Sequence, residues 1–176
     1  VRLRDMFNLA NPDELRFVWV VDFPLFEWDE DKNRYMPAHH IFTMPAEEHV
    51  DSFSEKPGET LSQSYDLALN GLELGSGSIR VTDPDLQQEL LAFIGVDAEE
   101  AEEKFGFLLE AYEYGAPVHG GFAVGVDRLV ALLSGKNDIR EVIAFPKNKQ
   151  GRSPMDGSPS PIDEEALEVL GLKIND

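Results

Sequence analysis

Apolar and polar residues alternate on both sides of Asn70-Gly71, through Tyr65-Asp-Leu-Ala-Leu69 and Leu72-Glu-Leu74. A period of two is that of a β-strand, and Asn-Gly supplies the positive φ angles of a type I′ turn, so this stretch predicts an antiparallel hairpin. Upstream, Leu15 to Phe23 is nearly all apolar and predicts a central strand, with residues 1–15 as an edge segment. Residues 27–36 read as a charged turn. A short strand near His39-His40 and a long polar loop from Pro45 to Glu59 follow. The period then changes to that of a helix. Asp83-Pro84 is a capping aspartate followed by proline at the first helical position; Leu86, Leu90, Leu91 and Ile94 form one apolar stripe, and Gly95 ends it. Asp97 opens a second helix with Ala101, Phe105, Leu108, Leu109 and Tyr112 on one side. His119 to Val124 reads as a strand leading into a helix to about Ser134, Val142 to Phe145 as a last short strand, and Glu164 to Leu170 as a terminal helix. Pro146 to Pro161, rich in proline, glycine and serine, reads as irregular. Hairpin-joined strands with helices between them predict an α+β fold, an antiparallel sheet flanked by helices.

The hairpin is also where the chemistry gathers. With Asn70 and Gly71 as turn residues, Leu69 pairs with Leu72, Ala68 with Glu73 and Asp66 with Gly75. Asp66 and Glu73 then lie diagonally on one face, within reach of a single divalent ion. In this register Gly75 and Gly77 share that face and leave it bare. Strict alternation puts Arg80 on the opposite face; one extra residue in Gly75-Ser-Gly-Ser78, a β-bulge, would return it. Taken alone, the spacing favours a solvated hairpin with ordinary surface charges, since Asn-Gly hairpins are common.

Two further segments carry candidate chemistry. His119-Gly-Gly-Phe-Ala-Val-Gly-Val-Asp-Arg128 passes from a glycine-rich strand into a helix and sets Arg128 in its first turn. There the backbone N–H groups and the helix dipole favour an anion, and a guanidinium adds a two-pronged phosphate clamp. The alternative is close helix–strand packing at the glycines, with Arg128 paired to a carboxylate. Ala38-His39-His40 is a poor chelate by itself, because adjacent strand residues point to opposite faces.

Composition narrows the class. At 176 residues the chain has one domain's length, and 42% hydrophobic with 28% charged residues are globular values. With no cysteine there is neither a disulfide framework nor a thiolate metal site. No apolar run reaches membrane-spanning length, and no signal-peptide pattern opens the chain, so no membrane partner and a cytoplasmic location are expected. The formal charge of −19 is not the footprint of a nucleic-acid surface. The acids cluster in Glu27–Asp31, Asp97–Glu103 and Asp163–Glu168, which read as solvated helix faces and loops.

In combination and order, Phe17-Val-Trp-Val-Val-Asp-Phe-Pro-Leu-Phe26, Ala38-His-His40, Leu69 to Arg80, Lys104-Phe-Gly-Phe-Leu-Leu-Glu110, Tyr114 to Arg128 and Asp138 to Lys147 resemble the catalytic domain of bacterial-type aspartyl-tRNA synthetases. The His119–Arg128 segment is similar to motif 3 of the class II aminoacyl-tRNA synthetases. The resemblance covers nearly the whole chain. It implies the reaction of that family: aspartate and ATP give aspartyl-adenylate and pyrophosphate, and the aspartyl group then passes to tRNA. It implies ATP and Mg2+ at the site, with Asp66 and Glu73 holding the metal at the phosphates. Arg128 would grip the γ-phosphate, with Gly125, Val126 and Asp127 shaping its turn. Arg80 would pair with the substrate's side-chain carboxylate, His39 would lie over the aspartate, and Gly75 and Gly77 would leave it space. Ser76 stands where many relatives carry a third glycine.

The resemblance implies as well that residues 1–176 are the C-terminal portion of the catalytic domain. The anticodon-binding OB domain and motifs 1 and 2 are absent from the chain, and Val-Arg-Leu-Arg4 looks like the exit from an inserted domain. A homodimer is then expected of the full-length enzyme, tRNA contacts mainly through missing parts, and no activity from the fragment alone. Two rivals remain open. One is a tRNA-independent aspartate-activating paralogue such as an asparagine synthetase; the other is a non-catalytic regulatory paralogue.

Overall fold

The computed structural model describes residues 2–7, 9, 11 and 14–174. The chain divides into two compact units, Val1–Gly125 and Val126–Asp176.

The first unit is built on a four-stranded antiparallel sheet in the order β1-β4-β5-β6, made of β1 (Phe17–Val20), β4 (Ser64–Leu69), β5 (Leu72–Ile79) and β6 (Gly120–Val124). Asn70 and Gly71 turn β4 into β5 with φ of 51° and 83°, the left-handed pair that a tight hairpin requires. The Asn70 side chain also ties down the segment entering β1. Its Oδ1 accepts from the Arg16 N–H at 2.8 Å, and its Nδ2 donates to the Glu14 carbonyl at 2.9 Å.

The apolar run ahead of the hairpin is not central. β1 covers only Phe17–Val20 and lies at the sheet edge, with all four residues exposed; Trp19 keeps 56% of its surface. Apolar character reports a tendency to be buried, whereas strand order is set by pairing, and the inner flank of β4 is taken by β5. Within the segment expected as an edge, Arg2–Phe7 is a short helix, α1; parts of residues 1–15 lie outside the described residues. The charged turn at 27–36 is instead a hairpin of its own, β2 (Phe26–Asp29) with β3 (Arg34–Pro37), turning through Asn33 at φ 51°. No strand holds the histidines: β3 ends at Pro37, and beyond it only isolated bridges, such as Thr43 to Arg80, continue the pairing.

Both long helices stand where their caps put them. α2 (Pro84–Phe93) starts at Asp83, whose carboxylate accepts from the Asp85 and Leu86 N–H groups, and it ends at Gly95 with φ 84°. α3 (Ala98–Glu113) starts at Asp97, which accepts from the Glu100 N–H at 2.9 Å. Their apolar stripes meet the β2–β3 hairpin in one core of Leu25, Phe26, Phe53, Val81, Leu90, Leu91, Ile94, Ala101 and Leu109. Phe53 comes from the long polar loop. That loop is therefore anchored, by this ring and by a short 3-10 turn at Glu47–His49.

The second unit contains α4 (Val126–Leu133), a 3-10 turn at Ile139–Glu141 and α5 (Glu164–Val169). Val142 to Phe145 forms turn and bends rather than the expected strand. Asp138 caps the 3-10 turn, and its side-chain and backbone bonds with Arg140 pull its carboxyl down to about 2.

Burial predicts the cost of opening the core. Leu91, 1% exposed, should lose about 2–5 kcal/mol on Leu91→Ala, while Phe107→Ala at an exposed ring should stay within about 0.5 kcal/mol. Urea unfolding of both variants checks the contrast.

Candidate functional site

The hairpin register decides what faces the site. Leu69 pairs with Leu72 and Ala68 with Glu73, as the turn requires, but Leu67 then pairs with Gly75 and Asp66 with Ser76. The bulge therefore falls at Leu74, just before the glycine–serine run rather than within it. One extra residue on β5 reverses the alternation beyond it. Ser76, Ser78 and Arg80 are brought to the face that carries Glu73, Asp66 and Ser64.

The same shift moves the glycines. Gly75 and Gly77, expected beside the carboxylates, lie on the opposite face. There the Tyr65, Trp19 and Phe122 rings meet at centroid distances of 6.0 and 5.6 Å. A Cβ on Gly77 would strike the Gly121 carbonyl and the Tyr65 ring, and one on Gly75 would come within 2.8 Å of the Phe122 ring. The glycines admit these neighbours to the face opposite the carboxylates. Space beside the carboxylates is kept by serine, whose side chains are small.

Above the sheet face, His39, His40, Ser64, Asp66, Glu73, Ser76, Gly77, Ser78 and Arg80 line a cavity of about 420 Å³. The hairpin thus brings Asp66, Glu73 and Arg80 together, and the loop after β3 adds His39. Among the described residues no group of three or more His, Cys, Asp or Glu side chains could hold a metal ion. The pair Asp66 and Glu73, with serine hydroxyls beside it, is a hard-oxygen donor set. It fits a cation that takes one or two carboxylates and completes its shell with water and phosphate oxygens, as Mg2+ does. Another opening of similar size lies between α2 and α3, lined by Gln88, Glu89, Asp97, Glu102 and apolar residues, with no arginine or histidine in its lining.

Gly125, Val126, Asp127 and Arg128 sit at the junction where β6 passes into α4. The Gly125 N–H donates to the Leu74 carbonyl at 2.9 Å. Val126 begins α4, so Asp127 and Arg128 occupy its first turn, as the sequence predicts.

Sequence reasoning passed over two residues. One is His40, whose ring touches Arg80, Ser78 and Thr43, while His39 makes an edge contact with Phe23 at 5.2 Å. The other is Gln87, fully buried in α2, whose Nε2 donates to the Ile41 carbonyl at 2.8 Å and fixes the histidine loop from below. A glutamine in the apolar stripe of α2 was the available signal. His40 could not be separated from His39 without knowing which way the loop turns.

Burial first, and then the Arg80 and His39 charges, hold the His40 imidazole below its ordinary value of 6.5. The unfolded chain therefore binds this proton more tightly than the folded one. His40's contribution to stability is complete above 6.5 and is lost as pH falls through its lowered folded value. His40→Asn removes the titration. Between about pH 7.5 and about pH 5 the wild type should lose more stability than this variant, measured by urea unfolding at each pH.

Comparison with known proteins shows what the chain is similar to. Residues 2–149 match the family described as tRNA synthetases class II (D, K and N). The aspartate–tRNA(Asp/Asn) ligase of Treponema denticola is 51% identical over 169 residues, 96% of this chain and 29% of that protein. The ligase of the same name from Rubrobacter xylanophilus is 51% identical over 174 residues, 99% of this chain and 29% of that protein. The chain thus spans about three-tenths of the length of these curated relatives. Among solved structures, a putative aspartyl-tRNA synthetase from Leishmania major aligns with TM-score 0.54 and 27% identity, over 78% of this chain and 23% of that one. An asparaginyl-tRNA synthetase from Entamoeba histolytica bound to asparaginyl-adenylate aligns with TM-score 0.57 over 78% of this chain and 26% of that one; at 22% identity it supports the fold alone.

Proposed function

Since this chain belongs to the class II tRNA synthetases of the D, K and N group, we propose that it carries part of the catalytic site of an aspartate–tRNA ligase. The observation that carries the reading is the bulged hairpin, which sets a carboxylate pair and one arginine on the same face of a cavity. The reaction joins the α-carboxylate of aspartate to the α-phosphorus of ATP, releasing pyrophosphate. A hydroxyl at the 3′ end of tRNA then takes the aspartyl group and releases AMP. No enzyme nucleophile is required, so the side chains position groups and balance charge.

In this reading Arg80 binds the side-chain carboxylate of aspartate through a planar fork, and His39 lies over the bound amino acid. Asp66 and Glu73 hold Mg2+, which neutralises charge on the phosphate oxygens when bound. In the second unit, Arg128 in the first turn of α4 offers a guanidinium and helix N–H groups to a phosphate of ATP, with Gly125, Val126 and Asp127 shaping the turn. The activity belongs to a cytoplasmic homodimer that contacts tRNA largely through other parts of the polypeptide. No described helix is long and apolar enough to cross a membrane.

A carboxylate-free substrate fits Arg80 poorly: lysine would be repelled, and asparagine would leave the guanidinium without a counter-charge. A tRNA-independent aspartate-activating enzyme would share the first step and differ only in the second.

The test is aspartate-dependent ATP–pyrophosphate exchange and tRNA charging by a polypeptide of the relatives' length that contains these residues. Exchange with aspartate, charging of tRNA and neither with lysine is the expected outcome; exchange without charging favours the tRNA-independent enzyme. Arg80→Lys should reduce exchange by at least about a hundredfold while ATP still binds, because an ammonium cannot reproduce the two-pronged contact. Exchange near the wild-type rate in that variant removes Arg80 from the role.

A further inference from the structure

His40 makes its closest contact with Arg80 and has no part in the reading above. The Arg80 Nη1 lies 2.9 Å from His40 Nδ1. A guanidinium can only donate, so Nδ1 must be an unprotonated acceptor and the ring proton must sit on Nε2. There the Ser78 Oγ, 3.2 Å away, accepts it. The Phe42 N–H also approaches Nδ1 as a donor, at 3.3 Å, so a second obligate donor selects the same tautomer; the Thr43 hydroxyl, 3.2 Å from Nδ1 and 3.3 Å from Nε2, suits either one.

The backbone leaves the ring little freedom. The Met44 N–H donates to the Ile79 carbonyl at 2.9 Å, and the Val81 N–H to the Phe42 carbonyl at 3.0 Å, so the loop runs antiparallel against the segment that carries Arg80. Gln87 anchors Ile41 from α2. Ring and guanidinium are thus held by separate segments bonded to each other.

We propose that His40, as its neutral Nε2–H tautomer, is a positioning residue that orients the Arg80 guanidinium for the side-chain carboxylate of the amino-acid substrate. The inference rests on the reading of Arg80 given above. A long, flexible arginine loses rotamer freedom when it binds; one already held by an acceptor loses less, so affinity for the carboxylate rises. His40 occupies one N–H donor and leaves the others of the five for substrate.

Protonation would reverse this. An N–H at Nδ1 would oppose the Nη1 donor and place a second positive charge beside Arg80. Burial lowers the His40 pKa and keeps the ring neutral. The ionisable groups around it are Arg80, His39, Asp66 and Glu73 across the cavity, while α2 presents apolar Leu90 and Ile94.

The experiment compares His40→Ala and His40→Asn by aspartate-dependent pyrophosphate exchange in a polypeptide of the relatives' length. Asparagine keeps an oxygen acceptor near the place of Nδ1 but cannot titrate. His40→Ala should raise KM for aspartate about tenfold or more and leave KM for ATP within about twofold, and His40→Asn should recover most of that loss. Wild-type KM for aspartate should rise as pH falls below about 6.5, and that of His40→Asn should stay flatter. An unchanged KM in His40→Ala, an equal loss in both variants, or a matching rise in KM for ATP overturns the proposal. Absence of aspartate-dependent exchange in the wild type would instead sink the parent reading. The 15N shifts of the His40 ring in the 176-residue chain then decide the geometry without activity: an unprotonated Nδ1 at neutral pH supports it, a protonated one refutes it.

Discussion

A single extra residue in β5 governs this site. Leu74 has no partner on β4, so the strand alternation reverses between Glu73 and Gly75. Before the bulge the turn dictates the face; after it, Ser76, Ser78 and Arg80 inherit the face of Asp66. Without it Arg80 and Glu73 would point apart and no cavity could hold both. A β-bulge leaves one residue out of the ladder and disturbs the hydrogen bonds around it. Here Leu74 keeps its carbonyl occupied by the Gly125 N–H and is itself buried, so the irregularity is held from both sides.

The second constraint is the loop between β3 and residue 46. It contains no regular strand, yet its carbonyls and N–H groups are taken up in turn by residues 61–63 and 79–81. The Gln63 side chain bonds the Pro45 carbonyl at 2.9 Å, and the Gln63 N–H bonds the Met44 carbonyl at 2.8 Å. Such a segment behaves as a strand in its pairing without the sustained ladder of one. It explains how an irregular stretch can carry histidines at defined positions beside Arg80. Function placed on a loop needs this support from the scaffold beneath it.

Charge is distributed in keeping with this division of labour. The acids of α3 stand on its outer side, with Glu99, Glu102 and Glu103 exposed, and those of Asp163–Glu168 line an exposed helix terminus. The cavity itself mixes two carboxylates with one guanidinium and two imidazoles, and is far less one-sided than the chain's net −19.

The sequence by itself determined the elements whose signals are local. Asn70-Gly71 demanded a hairpin because only residues tolerant of positive φ make that turn. Asp83, Asp97 and Gly95 marked helix ends because backbone groups there need partners. The order and spacing of the Asp66–Arg80 and His119–Arg128 segments carried the family. Only tertiary structure decided the rest. The bulge could be foreseen as needed for Arg80 but not placed, since a glycine–serine run and Leu74 admit it equally until β6 and the Trp19–Tyr65–Phe122 cluster choose the register. β1 became an edge strand because pairing, not hydrophobicity, ranks strands. His40 rather than His39 met Arg80 because that choice depends on the turn of a loop fixed by bonds to residues about forty positions away.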